Sequence, residues 1–244
     1  MKQLVSILII LILLVSCNSD KTGHSKPTLL SHFIDVTENE KRGVDEIIEY
    51  YGGKCLYSIG ANYSTSEPNS KYFELEVFES EILNKTKTDL NIPLSNIAFQ
   101  FYKFLRKDNH NYTGIKSIIK TSNTSVEEYY EVKDLEEAHN YENVLTENLE
   151  LIANKQYGEL LDKTKTKFDI DNKMVIENGL IKVDSIFGEL NKKEPFLITG
   201  YKLRKDIIRY YVMQLRDKEN CELRVDIDRK EKKGSLYAFE YKYD

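Results

Sequence analysis

The 244-residue chain is poor in the residues that usually announce chemistry: it has three cysteines, four histidines and no tryptophan. The histidines are His24, His32, His110 and His139, and no two fall at an H-x-x-x-H spacing that would hold a metal. There is no C-x-x-C pair, no G-x-S-x-G elbow, no P-loop and no G-x-G-x-x-G turn. Zinc, serine-hydrolase, nucleotide-phosphate and dinucleotide readings therefore lose their usual sequence support. The segment DIDNKMVIENGL, opening on Asp169 and Asp171, begins like a calcium loop. It then places Lys173, Met174 and Leu180 where the loop needs an oxygen ligand, a glycine and a glutamate. DIDRKEKKG, from Asp226, fails in the same way at Lys230 and Glu231. The expectation is no metal and no cofactor. An excess of positive charge is also missing, since 35 Lys and Arg face 40 Asp and Glu, and this argues against a nucleic-acid partner.

Long apolar runs are absent except at the start, in MKQLVSILIILILLVSCNSD. Lys2 precedes the apolar stretch Leu4 to Val15, which is too short for a transmembrane helix of about 20 residues but suits a secretory signal. The stretch ends in Leu14-Val15-Ser16-Cys17, which resembles the lipobox of bacterial lipoproteins. That resemblance implies cleavage before Cys17 and acylation of its thiol, so that Cys17 is the lipidation site and the partner is a membrane. Each buried CH₂ of an acyl chain contributes about 0.8 kcal/mol, and two or three chains hold firmly where one does not. Asn18 stands where an inner-membrane retention signal would have Asp, which favours the outer membrane in a cell that has one. Cleavage would remove Lys2, leaving 34 basic against 40 acidic residues and a charge of −6.

The remaining cysteines, Cys55 and Cys221, each sit on the apolar side of a strand-like alternation. They read as small buried hydrophobes; export also permits a disulfide between them if their Cα atoms approach within about 7 Å.

The organisation expected from periodicity is a signal peptide over 1–16, a lipidated cysteine and tether over 17–40, an α-β-β-α-β-β unit over 41–134 and a second α+β unit over 135–244. Val44, Ile47, Ile48 and Tyr51 make one helical face that Gly52-Gly53 terminates. Two hairpins follow, around 54–80 and 112–132, separated by a helix over about 93–107. A longer helix is expected over 137–163. Residues 164–192 are ambiguous, with Leu180, Ile181 and Val183 as a candidate short strand. Four strands from Pro195 onward are joined by RKD, RDKEN and RKEKKG, connections short enough to demand antiparallel neighbours. In the last strand the period of two puts Tyr237, Phe239, Tyr241 and Tyr243 on one face. The fold class is thus α+β, two small units of helices on antiparallel sheets. The C-terminal unit, a helix against a four-stranded meander, is similar in element order to cystatin-like and NTF2-like domains of exported proteins.

Seventeen tyrosines and ten phenylalanines carry the aromatic content. In strands this is first of all sheet packing; the functional reading is a tyrosine-lined binding surface, with Tyr237, Tyr241 and Tyr243 as the candidate binding residues. No catalytic residues are assigned. The leading expectation is a membrane-anchored lipoprotein of the cell envelope that binds a protein, peptide or glycan without catalysis. One alternative is a small enzyme using an NTF2-like cavity, which requires an ionisable group inside it. The other is an immunity or inhibitor lipoprotein with an acidic surface.

Overall fold

The structure, a computed structural model, describes residues 36–62, 70–86, 89–108, 110–230 and 234–242. The expected signal peptide, Cys17, the expected tether up to residue 35 and Tyr243 lie outside the described residues. Six helices and eight strands are described: α1 (Glu38–Tyr51), β1 (Lys54–Asn62), β2 (Ser70–Phe78), α2 (Glu81–Lys85), α3 (Asn91–Leu105), β3 (Gly114–Lys120), β4 (Ser125–Glu131), α4 (Val132–Ala153), α5 (Tyr157–Lys163), α6 (Ile170–Phe187), β5 (Phe196–Leu203), β6 (Ile207–Gln214), β7 (Cys221–Asp228) and β8 (Ser235–Lys242). They form the expected α+β architecture, two four-stranded sheets ordered β1-β2-β3-β4 and β5-β6-β7-β8 with helices packed on them.

Helix α1 starts at a capping box. The Thr37 hydroxyl accepts from the Glu40 amide, and the Glu40 carboxylate accepts from the Thr37 amide at 2.7 Å. The helix stops at Gly52, whose φ of 65° suits a residue without Cβ. Gly43 lets it lie close to α3, because a Cβ there would come within 2.8 Å of the Phe101 ring.

In the first sheet β1–β2 and β3–β4 are hairpin partners, but β2 and β3 run parallel, with Phe73 opposite Ile115 and Val77 opposite Ile119. The parallel pair follows from α2 and α3, which carry the chain from the end of β2 back to the start of β3. The inner face centres on Phe73, whose ring lies 4.4 Å from that of Phe101 on α3 and edge-on to Tyr112.

The second sheet is a fully antiparallel meander. Leu135, Ala138, Leu145, Leu149 and Ile152 of α4 are buried in one cluster with Ile208, Tyr210, Val212, Leu223 and Val225. Tyr210 donates its hydroxyl to the Ala138 carbonyl. The space between helix and sheet is therefore filled with side chains. Helix α3 also reaches this sheet: Phe99 packs on Tyr201, with ring centroids 5.5 Å apart. Tyr50 of α1 donates to the Ile198 carbonyl of β5 at 3.0 Å. Both sheets thus feed one buried cluster.

Besides the parallel β2–β3 pair, where antiparallel sheets were expected, three details depart from the sequence reading. The single helix expected over 137–163 is α4 and α5, divided at Lys155, which has a φ of 57°. A straight helix at 3.6 residues per turn would rotate Tyr157 and Leu161 off the face that carries Tyr141, Leu145 and Leu149, and all of these are buried. The ambiguous stretch is α6, so Leu180, Ile181 and Val183 are not a strand. Asp169 caps its start by accepting from the Asn172 amide at 2.8 Å, Gly188 ends it, and Gly179 is tolerated inside at a cost of about 1 kcal/mol relative to alanine. Only Leu180 and Val183 of α6 are buried, while Ile170, Met174, Val175, Ile181 and Ile186 are exposed. Finally, β8 carries a bulge. Ala238 pairs with Asp226 but Leu236 pairs with Ile227, which leaves Tyr237 without an opposite residue. Leu236, Phe239 and Tyr241 therefore share the packed face, and Tyr237 leaves it, 44% exposed.

Candidate functional site

Sheet one ends at β4 and sheet two begins at β5, and these two edge strands face each other across an open cleft of about 300 Å³. Its walls are built locally. On β4, residues Val126, Glu128 and Tyr130 pair with Ile119, Ser117 and Ile115, so they point to the inner side of the sheet. Glu128 is an exposed carboxylate opposite the buried Ser117, on a face that also carries Ile115, Ile119, Val126 and Tyr130, and it accepts the Tyr130 hydroxyl at 2.8 Å. On β5, Tyr201 enters the cleft from the core and Lys202 from its rim. Tyr129 and Tyr211 complete an aromatic lining.

The beginnings of two helices close the cleft. Asp89 precedes α3 and accepts from the Asn91 amide at 3.1 Å; Asp134 lies in the first turn of α4. Both are placed where the positive end of a helix favours a carboxylate. Helix α3 can come this close because β5 has a bulge between Ile198 and Gly200, and a Cβ on Gly200 would lie 2.4 Å from the Ile92 carbonyl oxygen. The edge amide that the bulge presents is not left bare, since Tyr201 N–H donates to Ser95 Oγ at 2.9 Å.

Tyr201 is the unusual residue. It is 5% exposed, and its hydroxyl has no hydrogen-bond partner among the described residues. Its ring centroid lies 6.3 Å from that of Tyr130. Burial, with the charges of Asp134 and Glu128 adding to it, holds the Tyr201 phenol far above its ordinary value. Burial does the same to Tyr130, again reinforced by Glu128. Both phenols are neutral at any physiological pH, so neither serves as an anionic base. Of the charged side chains lining the cleft, three are carboxylates, Asp89, Glu128 and Asp134, and one is an ammonium, Lys202.

The residues singled out from sequence lie elsewhere. Cys17 and Tyr243 are outside the described residues. Tyr241 is on the packed face of β8, its hydroxyl accepting from Gln214 Nε2 at 3.1 Å. Tyr237 sits on the bulge with the Lys165 ammonium 6.0 Å from its ring centre. The structure does not bring Tyr237 and Tyr241 to one surface. Cys55 and Cys221 are buried on different sheets and are not disulfide-bonded. Burial pushes the Cys55 thiol up to about 12 and raises Cys221 as well. Among the described residues no group of His, Cys, Asp or Glu is arranged to hold a metal ion. No helix among them is long and apolar enough to cross a membrane.

Sequence reasoning missed the cleft because its members come from four separate segments. The available signal was Glu128, which breaks the apolar period of VEEYYEV on the side shared by Val126 and Tyr130. A comparison with known protein families, with characterised proteins and with solved structures finds no match for this chain.

Proposed function

We propose that this chain is a lipid-anchored protein of the cell envelope that binds a partner in the cleft between β4 and β5, without catalysing a reaction. The observation that carries the binding role is the cleft itself, an open, tyrosine-lined depression between two sheet edges. Tyrosine offers a large amphipathic contact surface, which suits recognition. The address rests on LVSC at the end of a short apolar run, with the polar segment that follows Cys17 as the tether.

Two measurements test the two halves of the proposal. Cys17→Ala should lose an acyl mass by mass spectrometry and move from the detergent phase to the aqueous phase. A variant that still partitions with membranes after normal processing would remove the anchor. For the cleft, a photo-crosslinking amino acid is placed at Lys202, on the rim, and for comparison at Lys120, at the end of β3, which does not line the cleft. A discrete adduct formed in cells from position 202 and not from 120 supports the binding role. Equal labelling from both positions, or none from either, rejects it.

A further inference from the structure

We infer that the cleft between β4 and β5 takes an organic cation that carries N–H groups, a lysine-type ammonium on an apolar stem. This inference rests on the binding role proposed for the same cleft.

Charge comes first. Three carboxylates and one ammonium line the cleft. Asp89 and Asp134 have a local task at the starts of α3 and α4, and helix ends offset part of their charge. Glu128 has no such task. It is an exposed carboxylate on the cleft side of an edge strand, and its one hydrogen bond from another side chain among the described residues comes from Tyr130. A carboxylate on this face gains when a cation enters beside it.

The second observation is the Tyr201 hydroxyl, on a residue 5% exposed, unpartnered, and in the field of both Asp134 and Glu128. That hydroxyl is closed off from the open cleft, so a ligand N–H that displaces its cover relieves the cost of an unpaired buried polar group. That requirement separates a primary ammonium from a quaternary one, which has no N–H to give. Anions are disfavoured by the same lining.

The aromatic rings supply the rest. The rings of Tyr130 and Tyr201, tilted at 50° to each other, both line the cleft, and an aromatic face attracts a cation. Ile92 and Leu203 line the same cleft and offer the apolar contact that an alkyl stem needs. At about 300 Å³ the cleft admits one such chain.

The test uses the full chain in detergent, with n-butylammonium chloride, the tripeptide acetyl-Gly-Lys-Gly-amide, n-butanol and sodium butyrate as probes, read by amide chemical shifts and by titration calorimetry. The expected result is saturable binding of the ammonium probes, with shifts centred on Tyr130, Gly200 and Tyr201. Glu128→Gln should weaken it about tenfold, the equivalent of roughly 1.4 kcal/mol, and Tyr201→Phe should weaken it while leaving the melting temperature near its original value. Tighter binding of the tripeptide than of butylammonium identifies a protein side chain as the source of the cation, and the reverse order identifies a small amine; either supports the inference. Equal affinity for butanol overturns the cation and leaves the cleft as a binding site. Failure of all four probes while the adduct from position 202 still forms also overturns the cation and leaves the binding role standing.

Discussion

The backbone amide of Tyr201 donates to the hydroxyl of Ser95 at 2.9 Å, so a residue of α3 occupies the open edge of β5. Ser95 in turn donates to the Ile92 carbonyl at 2.7 Å. An edge strand with bare N–H groups invites pairing with another chain; here a helix takes that place, and the same contact sets one wall of the cleft.

Ser95→Ala should destabilise the fold by about 1–3 kcal/mol, the cost of leaving a buried amide unpaired. Gly200→Ala should cost about as much, because its methyl would meet the Ile92 carbonyl at 2.4 Å and push α3 off β5. Urea denaturation of both variants checks this. A change below about 0.5 kcal/mol in both, the range of ordinary surface substitutions, would mean that α3 does not brace the sheet edge.

The bulge in β8 separates neighbours that strict alternation would join. Phe239→Ala should cost about 2–3 kcal/mol, short of the ~3–5 expected for a fully buried phenylalanine, since Phe239 is only partly covered. Tyr237→Ala should stay within about 0.5 kcal/mol. Thermal melts of the two variants side by side decide the point; equal losses would place Tyr237 back on the packed face.

Arg216 has a fully buried side chain that reaches Asp184 at 2.8 Å, the Gly188 carbonyl and Gln214, tying the end of α6 to β6. Burial alone would raise the Asp184 carboxyl, but Arg216 and Lys155 outweigh it and hold the group below its usual value. A depressed carboxyl stabilises the fold above its unfolded value, near 3.9, and loses that contribution as pH falls through the folded value. Asp184→Asn should therefore cost roughly 3 kcal/mol at pH 7, where it leaves a buried guanidinium without its counter-charge. The gap between parent and variant should narrow below about pH 4. Urea titrations at pH 7 and pH 3.5 give both numbers, and a gap independent of pH would exclude the ion pair as its origin.

Thiol chemistry offers a check on the core. With Cys55 pushed up to about 12 and Cys221 raised by burial, neither should react with iodoacetamide at pH 8 in a form beginning at residue 36. Both should alkylate fully in urea. Rapid labelling of the folded protein would show that one of the two sheets opens locally.

Much of this architecture was legible because it is written in short-range pattern. The two hairpins, the terminal meander and helices α1 and α3 follow from alternation, from 3.6-residue spacing and from glycine at Gly52. The parallel pairing of β2 with β3 was not, because it depends on where α3 delivers the chain. Helix α6 was hidden by its own apolar residues: Ile170, Met174, Val175, Ile181 and Ile186 are exposed, so no single stripe marks a buried face. The β8 bulge at Tyr237 is a one-residue insertion in register, invisible to a period of two until its partner strand is known. The candidate site was least legible of all. Tyr237, Tyr241 and Tyr243 stood out by density, whereas Tyr201, Tyr130, Glu128, Asp89 and Asp134 converge from distant segments.

The capping box at the start of α1 has a mechanical consequence. Thr37 is held by Glu40 on its own helix and, through its hydroxyl, by Asp108 beyond the end of α3, which Asn39 also grips at 2.6 Å. Any tension on the chain ahead of Val36 is delivered to this knot before it reaches either sheet. The load is shared between α1 and α3, along axes that already press against each other at Gly43 and Phe101. A domain on a leash would then yield first by fraying one turn of helix, with the cleft on the far end of α3 left undisturbed.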